Sequence, residues 1–205
     1  MQKENKTHEP VFKLKGRVVF LASNNIHKFM EARVVLSNCG IALGMLRVKT
    51  AEIQSDKLSD IALTSVVDAF RKCSLPLIVE DAGLFIDALG GFPGPYAAYA
   101  YKTLGNKGLL KLMENVENRK AKFQSAIAYY DSHLDLPICF EGEAEGTITT
   151  NEDNGNNPSS FGFDPIFMPT GSKKTFAEML IEEKNGFSHR AQAVGKFASW
   201  YKRQT

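Results

Sequence analysis

The sequence lacks the features that mark specialised protein classes. Its three cysteines, Cys39, Cys73 and Cys139, are odd in number and share no metal-binding or redox spacing. That excludes a disulfide framework and a zinc ribbon, and points to free thiols in a reducing compartment. No apolar run approaches the length that crosses a bilayer, and no apolar stretch follows the charged first residues as a secretory leader would require. Charge of one sign is missing too: a formal net charge of +2 supplies neither a basic stripe for nucleic acid nor an acidic tract. There is no internal repeat, no low-complexity block, and no Gly-x-x-x-x-Gly-Lys-Ser/Thr phosphate loop. What remains is a 205-residue chain, long enough to bury a real core. Its composition predicts a soluble cytoplasmic protein with no nucleic-acid or membrane partner, residues 1–15 forming a flexible tail and residues 16–205 a single domain.

The apolar pattern of the first half reads strand, helix, strand, helix, strand. Arg17 to Ala22 is a buried strand that stops at Ser23-Asn24-Asn25. The spacing predicts a helix over 27–38, with Phe29, Ala32 and Leu36 on one face, and a second strand over 41–48. Residues 50–57 are polar and loop-like. Residues 58–73 are helical, with Leu63, Val66, Val67 and Phe70 in one stripe. This order predicts an α/β sheet with short connections. Beyond it, residues 87–95 form a shaped Gly/Pro loop, 96–104 and 109–116 two short helices, and 122–130 and 138–149 an antiparallel strand pair. Residues 150–160 are an exposed loop. Thr175-x-x-Glu178 is a capping box expected to open a helix to about residue 183, and a last helix begins near Ser188.

Chemistry concentrates at four places. The strand Leu77-Ile78-Val79 runs into Glu80-Asp81 before Ala82-Gly83, and two adjacent carboxylates at a strand end need a positive partner such as a metal or a cationic ligand complex. Period two sends them to opposite faces; Asp81, next to the glycine turn, is the one expected in the site. Glu52, in the loop after the second strand, reads either as a solvated acid or as a second metal ligand. The turn Ser23-Asn24-Asn25-Ile26-His27-Lys28 opens a helix, where free N–H groups favour an anion and Lys28 sits at the end the helix dipole disfavours. Phe161-Gly162-Phe163-Asp164-Pro165 is a sharp bend whose aromatics either hold a flat heterocycle or re-enter the core. Lys184, His189 and Arg190 gather three potential cations around a helix start, which an anionic or carbonyl-bearing ligand would explain.

Read together, Ser23-x-Asn25-x-x-Lys28, Glu80-Asp81-Ala82-Gly83-Leu84, Leu89-Gly90-Gly91-Phe92-Pro93-Gly94-Pro95-Tyr96, Phe161-Gly162-Phe163-Asp164-Pro165 and Glu183-Lys184-Asn185 through Ser188-His189-Arg190 resemble the inosine triphosphatase family. These pyrophosphatases remove nonstandard purine nucleoside triphosphates such as ITP, dITP and XTP. The resemblance spans roughly residues 17–200. It implies an elongated mixed β-sheet with flanking helices, two lobes around a nucleotide-binding cleft, a homodimer, and Mg²⁺-dependent release of a nucleoside monophosphate and pyrophosphate. It assigns Ser23, Asn25 and Lys28, within the turn that also holds Asn24, Ile26 and His27, to the triphosphate. Glu52 and Asp81 would bind magnesium, Asp81 also serving as base for the attacking water, with Ala82 contributing its backbone. Phe161, Gly162, Phe163 and Asp164 would hold the purine, and Lys184, His189 and Arg190 complete its pocket. Three positions depart from the family pattern: Ser65 and Tyr99 stand where many relatives carry cations, and the loop before Phe161 is acidic. The competing readings are a pyrophosphatase for another modified nucleotide and a catalytically silent nucleotide-binding protein.

Overall fold

The computed structural model describes residues 17–51, 53–153 and 160–204; the expected tail at 1–15, Glu52 and residues 154–159 of the loop before Phe161 lie outside them. The centre is a seven-stranded mixed sheet in the order β2-β1-β3-β5-β6-β7, with β4 paired to β3. β1 (Val18–Ala22) is a short apolar strand flanked in parallel by β2 (Ala42–Leu46) and β3 (Leu77–Ile86). The crossovers are α1 (Ile26–Asn38) and α2 (Leu58–Cys73). β5 (Lys120–Tyr130) and β6 (Ile138–Ile148) extend the sheet antiparallel from β3, and β7 (Phe167–Pro169) closes that edge over residues 146–148. β4 (Pro93–Gly94) leads into α3 (Ala97–Leu112); α4 (Ile181–Asn185) and α5 (His189–Gln204) end the chain.

Strand alternation gives the sheet two unlike faces. Val19, Leu21, Ile78, Ile127 and Tyr129 pack under α1 and α5. Leu77, Val79, Ala126 and Ala128 pack under Leu58, Ala62, Val66 and Ala69 of α2, an apolar stripe at helical spacing. A third cluster, around Leu84, Phe123, Ile148, Phe167 and Phe176, fills the other end of the sheet.

Three expectations are corrected. β3 does not end at Asp81: it pairs with β5 through Ile86, Glu80 opposite Ile127 and Asp81 opposite Ala126. What ends there is its parallel neighbour, since β1 pairs with β3 only at Leu77 and Ile78. Gly83 makes no turn; its missing side chain admits β4, whose Gly94 carbonyl oxygen would lie 2.5 Å from a Cβ. The capping box at Thr175 and Glu178 forms, but it opens one 3-10 turn, Phe176–Glu178. Met179 is then extended and fully buried, so core packing stops the helix that local sequence favours. The two short helices expected after residue 96 are present: α3 consists of two helical segments that meet at Gly105, whose φ of 64° breaks the helix between them.

Candidate active site

The site lies at the carboxyl end of β1, where β3 continues without its parallel neighbour. The turn after β1 is built by its own side chains. Ser23 Oγ accepts from the Asn25 N–H at 3.1 Å, and Asn25 Oδ1 caps α1 by accepting from the N–H groups of His27 at 2.9 Å and Lys28 at 3.2 Å. Three donors that the sequence reading left free for an anion are therefore already paired. Lys28 is held by an acid of the chain itself: its Nζ lies 2.7 Å from Glu80 Oε2 and donates to the Glu80 carbonyl at 3.1 Å.

Glu80, rather than Asp81, faces the cations. Its Oε1 accepts from Arg190 Nε at 3.0 Å and from Ser125 Oγ at 2.8 Å. Arg190 Nη1 also pairs with Glu31 Oε2. Glu31 Oε1 accepts from Lys184 Nζ at 2.7 Å, and Lys184 Nζ donates at 2.6 Å to Asp164 Oδ2, which accepts the Phe161 N–H at 3.1 Å. The result is one chain of alternating charge: Lys28, Glu80, Arg190, Glu31, Lys184, Asp164. All but Lys28 are buried. With three cations and three acids it is neutral, which is how a desolvated ionic cluster is tolerated.

The pKa shifts follow from this order. Burial works against ionisation of Glu80, but Arg190 and Lys28 outweigh it and hold its carboxyl far below the ordinary range. Burial likewise opposes the Glu31 charge, and Arg190 and Lys184 reverse it, leaving its carboxyl below 4.5. Asp164 goes the other way: burial, reinforced by the nearby Glu31 charge, exceeds the pull of Lys184 and raises it above 3.8. His189 is no cation. Burial and then Arg190 push its imidazole well below 6.5, and the neutral ring stacks on Phe123 at 4.8 Å and 10°.

The sequence-derived cluster is thus brought together in part. Lys28, Asp164, Lys184, His189 and Arg190 converge, but their charges are balanced internally rather than waiting for an anion. Phe161 lies beside the network, its ring centroid 5.0 Å from Lys184 Nζ and 5.4 Å from Arg190 Cζ. Phe163 is core: it is 3% exposed and meets Tyr101 edge-on. Gly162 takes φ 63° at the bend, as its place requires. Ala82 shares Glu80's face by alternation, Asn24 and Ile26 are exposed, and His27 stacks on Phe161. Asp81 alternates to the α2 face, opposite Ala126. Ser65 is buried and donates to the Ala51 carbonyl at 3.1 Å, fixing the loop that leads to Glu52, whereas Tyr99 is fully at the surface.

Sequence reasoning missed Glu31, Ser125 and Gly142. Glu31 is 1% exposed beside the apolar stripe of α1, and the only sign of it was a carboxylate three residues after Lys28. Gly142 lets α5 sit on β6: a Cβ there would lie 2.1 Å from the His189 carbonyl oxygen.

Comparison with known proteins adds independent evidence. A family profile described as the Ham1 family matches residues 19–200. The dITP/XTP pyrophosphatase of Hyperthermus butylicus is 44% identical over 91% of this chain and 96% of its own length. That of Methanopyrus kandleri is 46% identical over 90% of this chain and 96% of its own. Among solved structures, the Ham1 protein of Staphylococcus aureus superposes with a TM-score of 0.76 at 25% identity, covering 92% of this chain and all of the other. A HAM1 protein from Coxiella burnetii gives 0.77 at 27% identity, over 91% and 99%. With a profile spanning nearly every described element and close relatives aligned end to end, the chain belongs to the Ham1 family.

Proposed function

We propose that this chain hydrolyses nonstandard purine nucleoside triphosphates, ITP, dITP and XTP, to the nucleoside monophosphate and pyrophosphate. The observation that carries the reading is the neutral, alternately charged network beside the Phe161 ring, abutting the polar turn after β1. A neutral network suits a neutral ring: it offers fixed donors and acceptors to a base edge without demanding a counter-charge. Arg190 has more N–H donors than Glu80 and Glu31 use, and these fit the 6-carbonyl of hypoxanthine or xanthine. Adenine presents an amino donor at that position, leaving both partners unsatisfied, a mismatch that buried sites reject by about 10⁴–10⁵.

The phosphates fall to the turn. Ser23 retains its own O–H, Asn25 its amide N–H groups, and Lys28 its partly exposed ammonium. Asp81, on the other face of the same strand, positions the attacking water and accepts its proton. Magnesium takes one or two carboxylates and completes its shell with water and phosphate oxygens. Asp81 fits that demand, with Glu52 as the second carboxylate on the loop that Ser65 and Asp68 anchor through Ala51. When bound, the ion would neutralise charge on the leaving pyrophosphate. The substrate lies in a cleft between two lobes of the sheet, and the enzyme works as a homodimer; exposed Phe92, Tyr96, Tyr101 and Leu104 around β4 and α3 are the apolar surface that supports this.

The test is a substrate panel with Mg²⁺ in which both products are identified. Pyrophosphate with IMP from ITP, and little from ATP, supports the proposal. Inorganic phosphate with IDP, or no turnover of any purine triphosphate, rejects it.

A further inference from the structure

Lys28 and Arg190 sit in the first and last helices and have different work under the proposed function, one toward the phosphates and the other toward the base. Among the described ion pairs they share one partner, Glu80. Each oxygen of its carboxylate serves one of them. Oε1 accepts from Arg190 Nε at 3.0 Å and from Ser125 Oγ at 2.8 Å. Oε2 lies 2.7 Å from Lys28 Nζ. Lys28 meets the same residue again at its main chain, donating to the Glu80 carbonyl at 3.1 Å. That carbonyl belongs to the peptide that joins Glu80 to Asp81. The bridge is stiff at its root, because Glu80 lies inside β3 opposite Ile127, and Ser125 belongs to the same partner strand, β5. It is also dry: the Glu80 and Arg190 side chains are 2% and 3% exposed. A buried carboxylate has no water to replace a lost partner, so turning one oxygen toward or away from a cation moves the other. The fork of Arg190 is therefore tied to the place of the Lys28 ammonium.

We propose that Glu80 is a positioning residue that couples the two ends of the site: it holds Lys28 and Arg190 as one unit, so that a disturbance at the phosphate end is felt as a loss of base preference. This rests on the roles that the proposed function gives to Lys28 and Arg190. Were the two cations independent, Lys28 would contribute alike to every purine triphosphate, since ITP and ATP carry the same phosphates. A shared carboxylate breaks that equality. Without Lys28 the Glu80 carboxylate turns wholly to Arg190, and the guanidinium no longer presents its remaining donors where a 6-carbonyl lies. ITP loses that bond; ATP, which has no 6-carbonyl, has none to lose. Coupling between members of one hydrogen-bonded network sets the size of the effect, about three- to tenfold in the ratio of the two nucleotides.

The experiment compares the full chain with its Lys28→Met, Glu80→Gln and doubly substituted forms. It reads kcat/KM for ITP and ATP with Mg²⁺ and, by calorimetry without Mg²⁺, Kd for the same two nucleotides. The expected result for Lys28→Met, which keeps the aliphatic stem, is weaker use of both nucleotides and an ITP-to-ATP ratio narrowed by about three- to tenfold. In Glu80→Gln the ratio is narrowed already, and adding Lys28→Met lowers both nucleotides alike. A purely structural Glu80 would weaken ITP and ATP equally in every form. Where Glu80→Gln yields no folded protein, Ser125→Ala takes its place: it removes only the hydroxyl that steadies Oε1, and the ratio should narrow by about twofold or more. An unchanged ratio in Lys28→Met, an unchanged ratio in Glu80→Gln or its substitute, or a Lys28→Met narrowing that persists at full size in the Glu80→Gln background overturns the coupling. Should the wild type bind ITP more tightly than ATP but hydrolyse neither, the proposed reaction fails and the Kd ratios alone decide. Equal binding of ITP and ATP by the wild type overturns the coupling whatever the reaction, since there is then no preference to transmit.

Discussion

Glu80 and Asp81 are chemically alike and adjacent, and the strand gives them separate work. Glu80 is buried against Lys28, Arg190 and Ser125, so its loss leaves two cations facing an empty position. Removing one partner of a buried pair costs about 3–5 kcal/mol. Glu80→Gln should lower unfolding free energy by that order in a denaturant titration. Asp81→Asn should leave stability near wild type and reduce turnover on the order of 10²-fold or more. The opposite pattern, a stable Glu80→Gln and a strongly destabilised Asp81→Asn, would exchange their roles. Acid should unfold the protein by a related route. Glu31 and Glu80 titrate below their ordinary 4.5, so their stabilisation is complete above that pH and is lost as pH falls toward their folded values. Asp164 has the opposite sign: raised above 3.8, it contributes most when protonated, and that contribution is lost as pH rises through its folded value. Two lowered acids outweigh one raised, so the melting temperature should fall below about pH 4.5, and less steeply in Glu80→Gln than in the wild type.

The cations of α4 and α5 reach the site because α5 lies unusually close to β6. The contact is made at Gly142, where a side chain would strike backbone of α5: 2.1 Å from the His189 oxygen and 2.7 Å from the Ala193 nitrogen. Gly142→Ala must push the start of α5 off the sheet and stretch the Arg190–Glu80 bond. A loss of about 1–3 kcal/mol, the range for overpacking, together with weaker ITP binding is the expected outcome of denaturation and kinetics on this variant. Gly195 lies in the same helix with nothing near its missing Cβ, so Gly195→Ala should be neutral or stabilising by up to about 1 kcal/mol. Equal effects of the two would show that close approach is not what Gly142 provides. This contact also marks where sequence reading stops. Element order and most boundaries were legible because apolar period follows burial: 58–73 reads as a helix and is one. Lys28, Asp164, Lys184 and Arg190 could be flagged because charge at a helix start or a sharp bend is conspicuous. Glu31 could not, since it is joined to Lys184 and Arg190 across more than 150 residues of chain; Glu80 was conspicuous beside Asp81, but alternation tells two faces apart without saying which face is which.

Across the whole molecule the mixed sheet acts as a partition. One face, under α1 and α5, carries the neutral network; the other, under α2, carries Asp81. β1 stops short of both, so under the proposed function a nucleotide crossing its end would meet Phe161 and Arg190 on one side and Asp81 on the other. This is the crevice beyond the strand ends where open α/β sheets bind ligands. Under the proposed function, base selection and hydrolysis belong to different faces, and a change on one should alter preference without abolishing reaction. Arg190→Lys tests that most directly. It keeps a positive charge between Glu80 and Glu31, which preserves the fold, but replaces the planar fork with a single ammonium. Measured as the ratio of kcat/KM for ITP to that for ATP, the preference should narrow by about tenfold or more, mostly through loss of ITP turnover. An equal loss for both nucleotides, with the ratio unchanged, would contradict the account.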